Sequence, residues 1–255
     1  MHMRAVIFGD GAMGRALASA LAARGEQVDL LGRPVDGHPA DRLAGADAVF
    51  EASIGSAVRG NLAAALAAGC GSIVIATSGW DSEREAIHHD LRIAGAAGVW
   101  APNFSLGTAL FGRLVDRAAA LYGRIEAFDP FIVEWHRRAK RDRPSGTARD
   151  LATRLGVVDG ELEVVSVRAG SSPGMHLVGF DAPGETVELR ITARDRSAYA
   201  AGALAAADWL LREPRAPGLH PFDPVVDDLV GGPVYPDRDA EPSPVDIGQS
   251  NRSIS

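Results

Sequence analysis

The chain has 255 residues, of which 46% are apolar and 23% charged, the composition of a globular protein able to bury the core of one large or two modest domains. No uninterrupted apolar run of about 18 residues occurs, which excludes a transmembrane helix, and a net charge of −7 excludes a general nucleic-acid-binding surface. The single cysteine, Cys70, permits no internal disulfide and no cysteine metal cluster, and reads as a small buried thiol.

Met1 to Arg4 lead directly into the apolar run Ala5-Val6-Ile7-Phe8, which reads as an N-terminus without a signal peptide and places the chain in the cytoplasm. Apolar runs at 4–9, 27–31, 47–52, 72–76 and 98–101 predict strands. Between them, apolar residues at helical spacing predict helices over 13–23, 56–68 and 82–94. Such alternation predicts βαβ units, a Rossmann-type doubly wound parallel sheet covered on both faces. After Asn103 the rhythm changes. A helix at 107–121, a strand at 127–135 and a helix at 145–155 precede strands at 162–167, 175–180 and 186–193. Asp181-Ala182-Pro183-Gly184 is the turn joining the last two.

This second region predicts an α+β substrate domain with an open, mixed or mostly antiparallel sheet and helices on one side. A last helix over 198–211 follows. The expected division is a nucleotide-binding domain at 1–104 completed by 195–235, a substrate-binding and oligomerisation domain at 105–194, and a tail at 236–255 with little to pack.

Gly9-Asp10-Gly11-Ala12-Met13-Gly14 is a G-x-G-x-x-G run between the first strand and the first helix. In that context Gly9 permits a tight turn, Gly11 lets backbone approach a pyrophosphate, and Gly14 lets helix pack on strand. Ala12 and Met13 complete the loop, and the helix start offers N–H groups and partial positive charge to the anion. The second strand ends in Gly32-Arg33 with no carboxylate, so Arg33 is expected to meet a 2′-phosphate. NADPH is the expected cofactor, with NADH possible.

The residues that point to chemistry lie at 134–148. The run His136-Arg137-Arg138-Ala139-Lys140-Arg141-Asp142-Arg143 concentrates positive charge in an acidic chain, and Lys140 is the sole lysine among 26 basic residues. A composition that uses arginine everywhere else suggests that position 140 needs a compact ammonium donor. Pro144 and Ser145 suit a first helical turn, where the backbone donors of Ser145, Gly146 and Thr147 would form an anion site. Helix donors, Lys140 and the titratable His136 together suit a small dicarboxylate and a proton transfer.

The run from Glu134 to Ala148 resembles the E-x-H-H-x-x-K-x-D-x-P-S-G-T-A signature of the 4-hydroxy-tetrahydrodipicolinate reductase family, also called dihydrodipicolinate reductase. Glu134, His136, Lys140, Asp142 and the whole of Pro144-Ser145-Gly146-Thr147-Ala148 match. Thr77-Ser78-Gly79 resembles the family's T-T-G loop, and Ala101-Pro102-Asn103-Phe104-Ser105-Leu106-Gly107 resembles its A-x-N-F-S-x-G hinge. Arg168-Ala169-Gly170 with Gly174 and His176 resembles its R-x-G-x-x-x-G-x-H strand pair. The resemblance spans about Arg4 to Leu211.

It implies hydride transfer from a nicotinamide to the ring of a cyclic, unsaturated imine dicarboxylate, in lysine and diaminopimelate biosynthesis. His136 is then the general acid and Lys140 its assisting donor. Gly146 and Thr147 hold a substrate carboxylate, and the nicotinamide pocket is lined by Thr77, Ser78, Gly79, Ala101, Asn103 and Phe104. A homotetramer closing by a hinge is the implied assembly. Three departures stand out. The glycine loop is one residue short, with Ala12 where the family has arginine. Arg137 replaces the second histidine, and as a substrate contact would add a fixed charge and a bidentate carboxylate grip. Glu51-Ala52-Ser53-Ile54 replaces D-F-T-x-P.

Two other readings stay open: a related enzyme reducing a different cyclic imine, and a non-catalytic NADP-binding protein of the same fold. His88-His89 has no cysteine or third histidine nearby, and no metal is expected. His176 is the exception among the remaining histidines, since it reaches the substrate sheet. Trp135 points away from His136 by strand alternation, and core packing is its default role.

Overall fold

The computed structural model describes residues 2–32, 40–156 and 162–232. Arg33 and the tail at 236–255 lie outside these described residues.

Six parallel strands form the first sheet in the order β10-β5-β4-β3-β1-β2. They are β1 (Arg4–Phe8), β2 (Gln27–Leu31), β3 (Ala48–Glu51), β4 (Ser72–Ile75), β5 (Ala97–Trp100) and β10 (Gly218–Pro221). Helix α1 (Ala12–Ala23) packs with α7 (Ser197–Arg212) on one face, burying Leu17, Leu21, Leu204 and Trp209 over Ile7 and Phe50. On the other face α3 (Val58–Ala67) and α4 (Arg84–Ile93) bury Val58, Leu62, Ile87 and Leu91 over Val6, Phe8 and Ile73. Burial on both sides explains why β1, β3 and β4 read as continuous apolar runs rather than alternating ones.

The second sheet has the order β7-β6-β8-β9, formed by β6 (Asp129–His136), β7 (Glu163–Arg168), β8 (Met175–Ala182) and β9 (Glu185–Thr192). Helices α5 (Leu106–Tyr122) and α6 (Gly146–Leu155) cover one face through Phe111, Val115, Leu151, Ile132, Val178 and Phe180. β6 runs antiparallel to β8 but parallel to β7, because α6 is a crossover between them. The sheet is therefore mixed. Its other face is open among the described residues, which overturns the core role expected for Trp135. That side chain does lie opposite His136, but it is 42% exposed and donates from Nε1 to the Ala169 carbonyl at 2.9 Å.

Three short elements went unread in the sequence: α2 (Ala40–Leu43), β10 and α8 (Asp223–Leu229). Strand β10 has four residues and pairs on one side only, which tolerates Pro221 at its end. Helix α8 carries a proline in its first turn and buries Val225 and Val226. In a Pro- and Asp-rich stretch this burial is a tertiary effect with too few residues to show a period. No described helix is long and apolar enough to cross a membrane.

Candidate active site

The strand order reverses between β1 and β3, and the loops leaving the carboxyl ends of β1, β3, β4 and β5 converge there. In parallel sheets this crevice is where ligands bind. Gly9 turns at φ +98°, its N–H bonded to the Leu31 carbonyl at 2.8 Å, and a Cβ on Gly14 would stand 1.8 Å from the Gly9 carbonyl oxygen. Both glycines are therefore obligatory for this turn. A Cβ on Gly11 would meet nothing, so open space faces the start of α1, whose first turn has neither a side-chain cap nor an acidic residue. Ala12 begins that helix. A pocket of about 190 Å³ beside it is lined by Met13, Thr77, Ser78, Ala101, Asn103 and Phe104. This cradle fits a dinucleotide with its pyrophosphate on the helix start. Gly79 sits at φ +81° in the same loop, packed where a Cβ on Gly55 would strike its carbonyl oxygen at 2.2 Å.

Glu51 holds these loops together from below. Fully buried at the end of β3, it accepts from the Ser53 N–H and hydroxyl, from Asn61 Nδ2 at 2.8 Å and from Thr77 Oγ1 at 3.2 Å. Burial raises its pKa, and these donors oppose the rise.

A wider cleft of about 970 Å³ runs from the Ser78, Ala101 and Asn103 loops to the end of β6. His136 is the last residue of β6 and is 7% exposed. Its Nε2 lies 3.3 Å from His176 Nε2 and 3.2 Å from Glu134 Oε2. Glu134, one β-period earlier on the same strand, points to the same side. Burial would raise its pKa, but bonds from Ser145, Ser166 and Arg168 outweigh it and hold the carboxyl ionised, down to about 2. All of those bonds fall on Oε1, and Oε2 has no hydrogen-bond partner. Burial lowers the pKa of His136 against the pull of Glu134, and takes His176 down to about 4. Both imidazoles are thus neutral near neutral pH. Glu134, His136 and His176 bring ligand-type atoms within 4.8 Å of one another, but Arg168 Nη2, 2.6 Å from Glu134, already neutralises the carboxylate that a divalent cation would need.

Ser145 caps α6, its Oγ accepting from the Ala148 N–H at 3.1 Å. Pro144 therefore lies before the helix and not in its first turn. The Ser145 N–H is not free for an anion, since it donates to Glu134 Oε1 at 3.0 Å, and the Ser145 hydroxyl stands 3.1 Å from His176 Nε2. Gly146 and Thr147 do line the cleft, as do Arg137 and Lys140. Lys140 Nζ donates to Asp142 at 2.8 Å, and the Gly146 N–H bonds to the same carboxylate. Lys140 first, then burial acting against it and the backbone donors, sets the Asp142 pKa below its ordinary value.

The structure adds Arg196 and Tyr199, which line both the narrow pocket and the wide cleft where α7 begins. Trp100 adds an aromatic wall, with the Arg84 guanidinium 3.8 Å from its ring centroid. Sequence distance hid them; the one available signal was Asp195-Arg196 at the return to the first sheet. His88 is structural, accepting from the Leu219 N–H at 3.0 Å.

Residues 107–225 match the family model for the C-terminus of dihydrodipicolinate reductase. The 4-hydroxy-tetrahydrodipicolinate reductase of Stenotrophomonas maltophilia is 37% identical over 235 residues, 86% of this chain and 95% of that protein. That of Xanthomonas euvesicatoria is 38% identical over 220 residues, 80% of this chain and 90% of that protein. The dipicolinate-bound dihydrodipicolinate reductase of Paenisporosarcina sp. shares the fold, with a TM-score of 0.67 at 18% identity over 87% of this chain and 98% of that one. With this identity sustained over both domains, the chain belongs to the 4-hydroxy-tetrahydrodipicolinate reductase family and is an oxidoreductase.

Proposed function

We propose that the chain uses NADPH or NADH to reduce a cyclic, unsaturated imine dicarboxylate, converting 4-hydroxy-tetrahydrodipicolinate to tetrahydrodipicolinate in lysine and diaminopimelate biosynthesis. The observation that carries this reading is the single cleft in which Ser78, Ala101 and Asn103 face His136, Lys140, Gly146 and Thr147. Overall the 4-hydroxyl leaves as water while one hydride and one proton enter. A bound reduced nicotinamide supplies the hydride.

The protein's own groups do the rest. Lys140 and the Gly146 and Thr147 donors hold one carboxylate, and Arg137 at the cleft edge grips the second. His136 delivers the proton. Its depressed pKa suits this role once a dianion is bound, since substrate charge raises an imidazole pKa and so loads the acid when it is needed. Glu134 Oε2, buried and unbonded, is placed to stabilise the imidazolium.

We infer a homotetramer built on the open face of the second sheet, where Trp135, Val165 and Val167 are exposed. Arg137 favours a second reading, a related cyclic imine with a differently placed carboxylate. The experiment is oxidation of NADPH or NADH with substrate generated from pyruvate and aspartate semialdehyde, with Lys140→Ala as control. Turnover abolished by the substitution supports the first reading. Dinucleotide binding without turnover supports the second.

A further inference from the structure

The second strand of a dinucleotide fold commonly ends in an acidic side chain that accepts a hydrogen bond from the adenosine ribose 2′-hydroxyl. Here that strand ends at Leu31-Gly32, and Gly32 has no side chain. The space it leaves is not empty of charge. Phe8 pairs with Leu31, and the Gly9 N–H bonds to the Leu31 carbonyl at 2.8 Å, so the next residue of the glycine loop, Asp10, runs alongside Gly32. A Cβ on Gly32 would stand 3.6 Å from Asp10 Oδ2 and 3.8 Å from Asp10 Cγ. The Asp10 carboxylate thus occupies the region where a side chain from β2 would carry its own.

We propose that Asp10 is the ribose-reading carboxylate of this chain, transplanted from the end of β2 to the glycine loop. Asp10 accepts from the 2′-hydroxyl of NADH, and it repels the 2′-phosphate of NADPH. This rests on the dinucleotide reading above and deepens it: Asp10 favours NADH at a position where the sequence alone, through Arg33, points to NADPH. The exposed, solvent-rim placement of Asp10 fits a group reading the ribose and not one lying against the pyrophosphate.

The test is the dissociation constant of each dinucleotide, measured calorimetrically without substrate, for the unaltered protein, Asp10→Ala, Asp10→Asn, and Asp10→Ala combined with Gly32→Asp. Loss of a charge-assisted hydrogen bond predicts about a tenfold or greater shift of the NADH-to-NADPH preference toward NADPH in Asp10→Ala. Asp10→Asn should shift it the same way by relieving repulsion. Gly32→Asp, whose Cβ has only ordinary contacts, should return the preference toward NADH. A change in the ratio below about threefold in Asp10→Ala, including equal weakening of both dinucleotides, overturns the assignment and leaves Asp10 a loop-forming residue. Failure of the unaltered protein to bind either dinucleotide overturns the cofactor reading itself, and this proposal with it.

Discussion

His136 Nε2 and His176 Nε2 face each other at 3.3 Å, their rings nearly edge to face with an interplanar angle of 69°. The Ser145 hydroxyl accepts from the Ala148 N–H and stands 3.1 Å from His176 Nε2, while the His136 ring donates to the Pro173 carbonyl. Glu134 Oε2 lies 3.2 Å from His136 Nε2 and 3.6 Å from His176 Nε2, so a proton arriving on His136 Nε2 meets a buried carboxylate. His136→Gln should lower turnover by about 10²- to 10⁴-fold, the range for loss of a general acid. Dinucleotide affinity should stay within about twofold, because the glycine loop is built on other strands. A loss of turnover below tenfold would remove His136 from that role.

The same cluster predicts acid sensitivity. His176 is neutral in the fold with its pKa lowered, from 6.5 to about 4, first by burial and then by His136. The unfolded chain therefore binds the proton more readily, and stability present above about pH 6.5 is lost as pH falls toward about 4. The full effect is on the order of 3 kcal/mol. Glu134, lowered from 4.5 to about 2, adds a second loss beginning below about pH 4.5. Urea midpoints measured from pH 7 to 4 should fall less steeply in His176→Asn. An unchanged slope would show that His176 titrates normally in the fold.

Glu134→Ala is predicted to cost far more than any surface substitution, about 3 to 5 kcal/mol, because it leaves the buried Arg168 guanidinium with carbonyl acceptors but no carboxylate to balance its charge. Glu134→Gln should retain the Ser145 bond and lose less. Equal denaturation midpoints for Glu134→Ala and the unaltered protein would show that Arg168 does not depend on the Glu134 charge.

Asp142 holds Lys140 Nζ and the Gly146 N–H, the two groups proposed above to hold a substrate carboxylate. On that proposal it is an internal stand-in that a bound carboxylate would displace. Asp142→Asn should tighten binding of dipicolinate by up to about tenfold at low ionic strength, and Lys140→Ala should weaken it by about ten- to a hundredfold. Weaker dipicolinate binding in Asp142→Asn would make Asp142 the residue that orients Lys140 instead.

The parallel sheet and the glycine loop were legible because both rest on local patterns: apolar runs of strand length and glycines at fixed offsets. Gly146, Thr147, Lys140 and His136 were legible through one continuous run. What the sequence hid was produced by pairing across distance. Asp10 meets Gly32 only because β1 and β2 are neighbours, and His176 meets His136 only because β6 and β8 pair with Glu134 opposite His176. Ser145 was expected to offer its N–H to an anion, but Glu134, eleven residues earlier, reaches it first. The exposure of Trp135 was equally hidden, since alternation gives the side of a strand and not what covers it.

That open face makes the last prediction. Trp135 on β6 and Val165 and Val167 on β7 share this face, with Trp135 opposite Val167 in register, and Val165 and Val167 are 42% and 38% exposed. On the proposed tetramer, this apolar patch, uncovered among the described residues, is the association surface. Val165→Glu should leave the fold intact, because the side chain already faces outward, while the desolvated carboxylate opposes burial between subunits. Light scattering should report a tetramer for the unaltered protein and a smaller species for Val165→Glu, with an unchanged circular dichroism spectrum. A monomer in both would show that the tetramer is not how this chain covers Trp135.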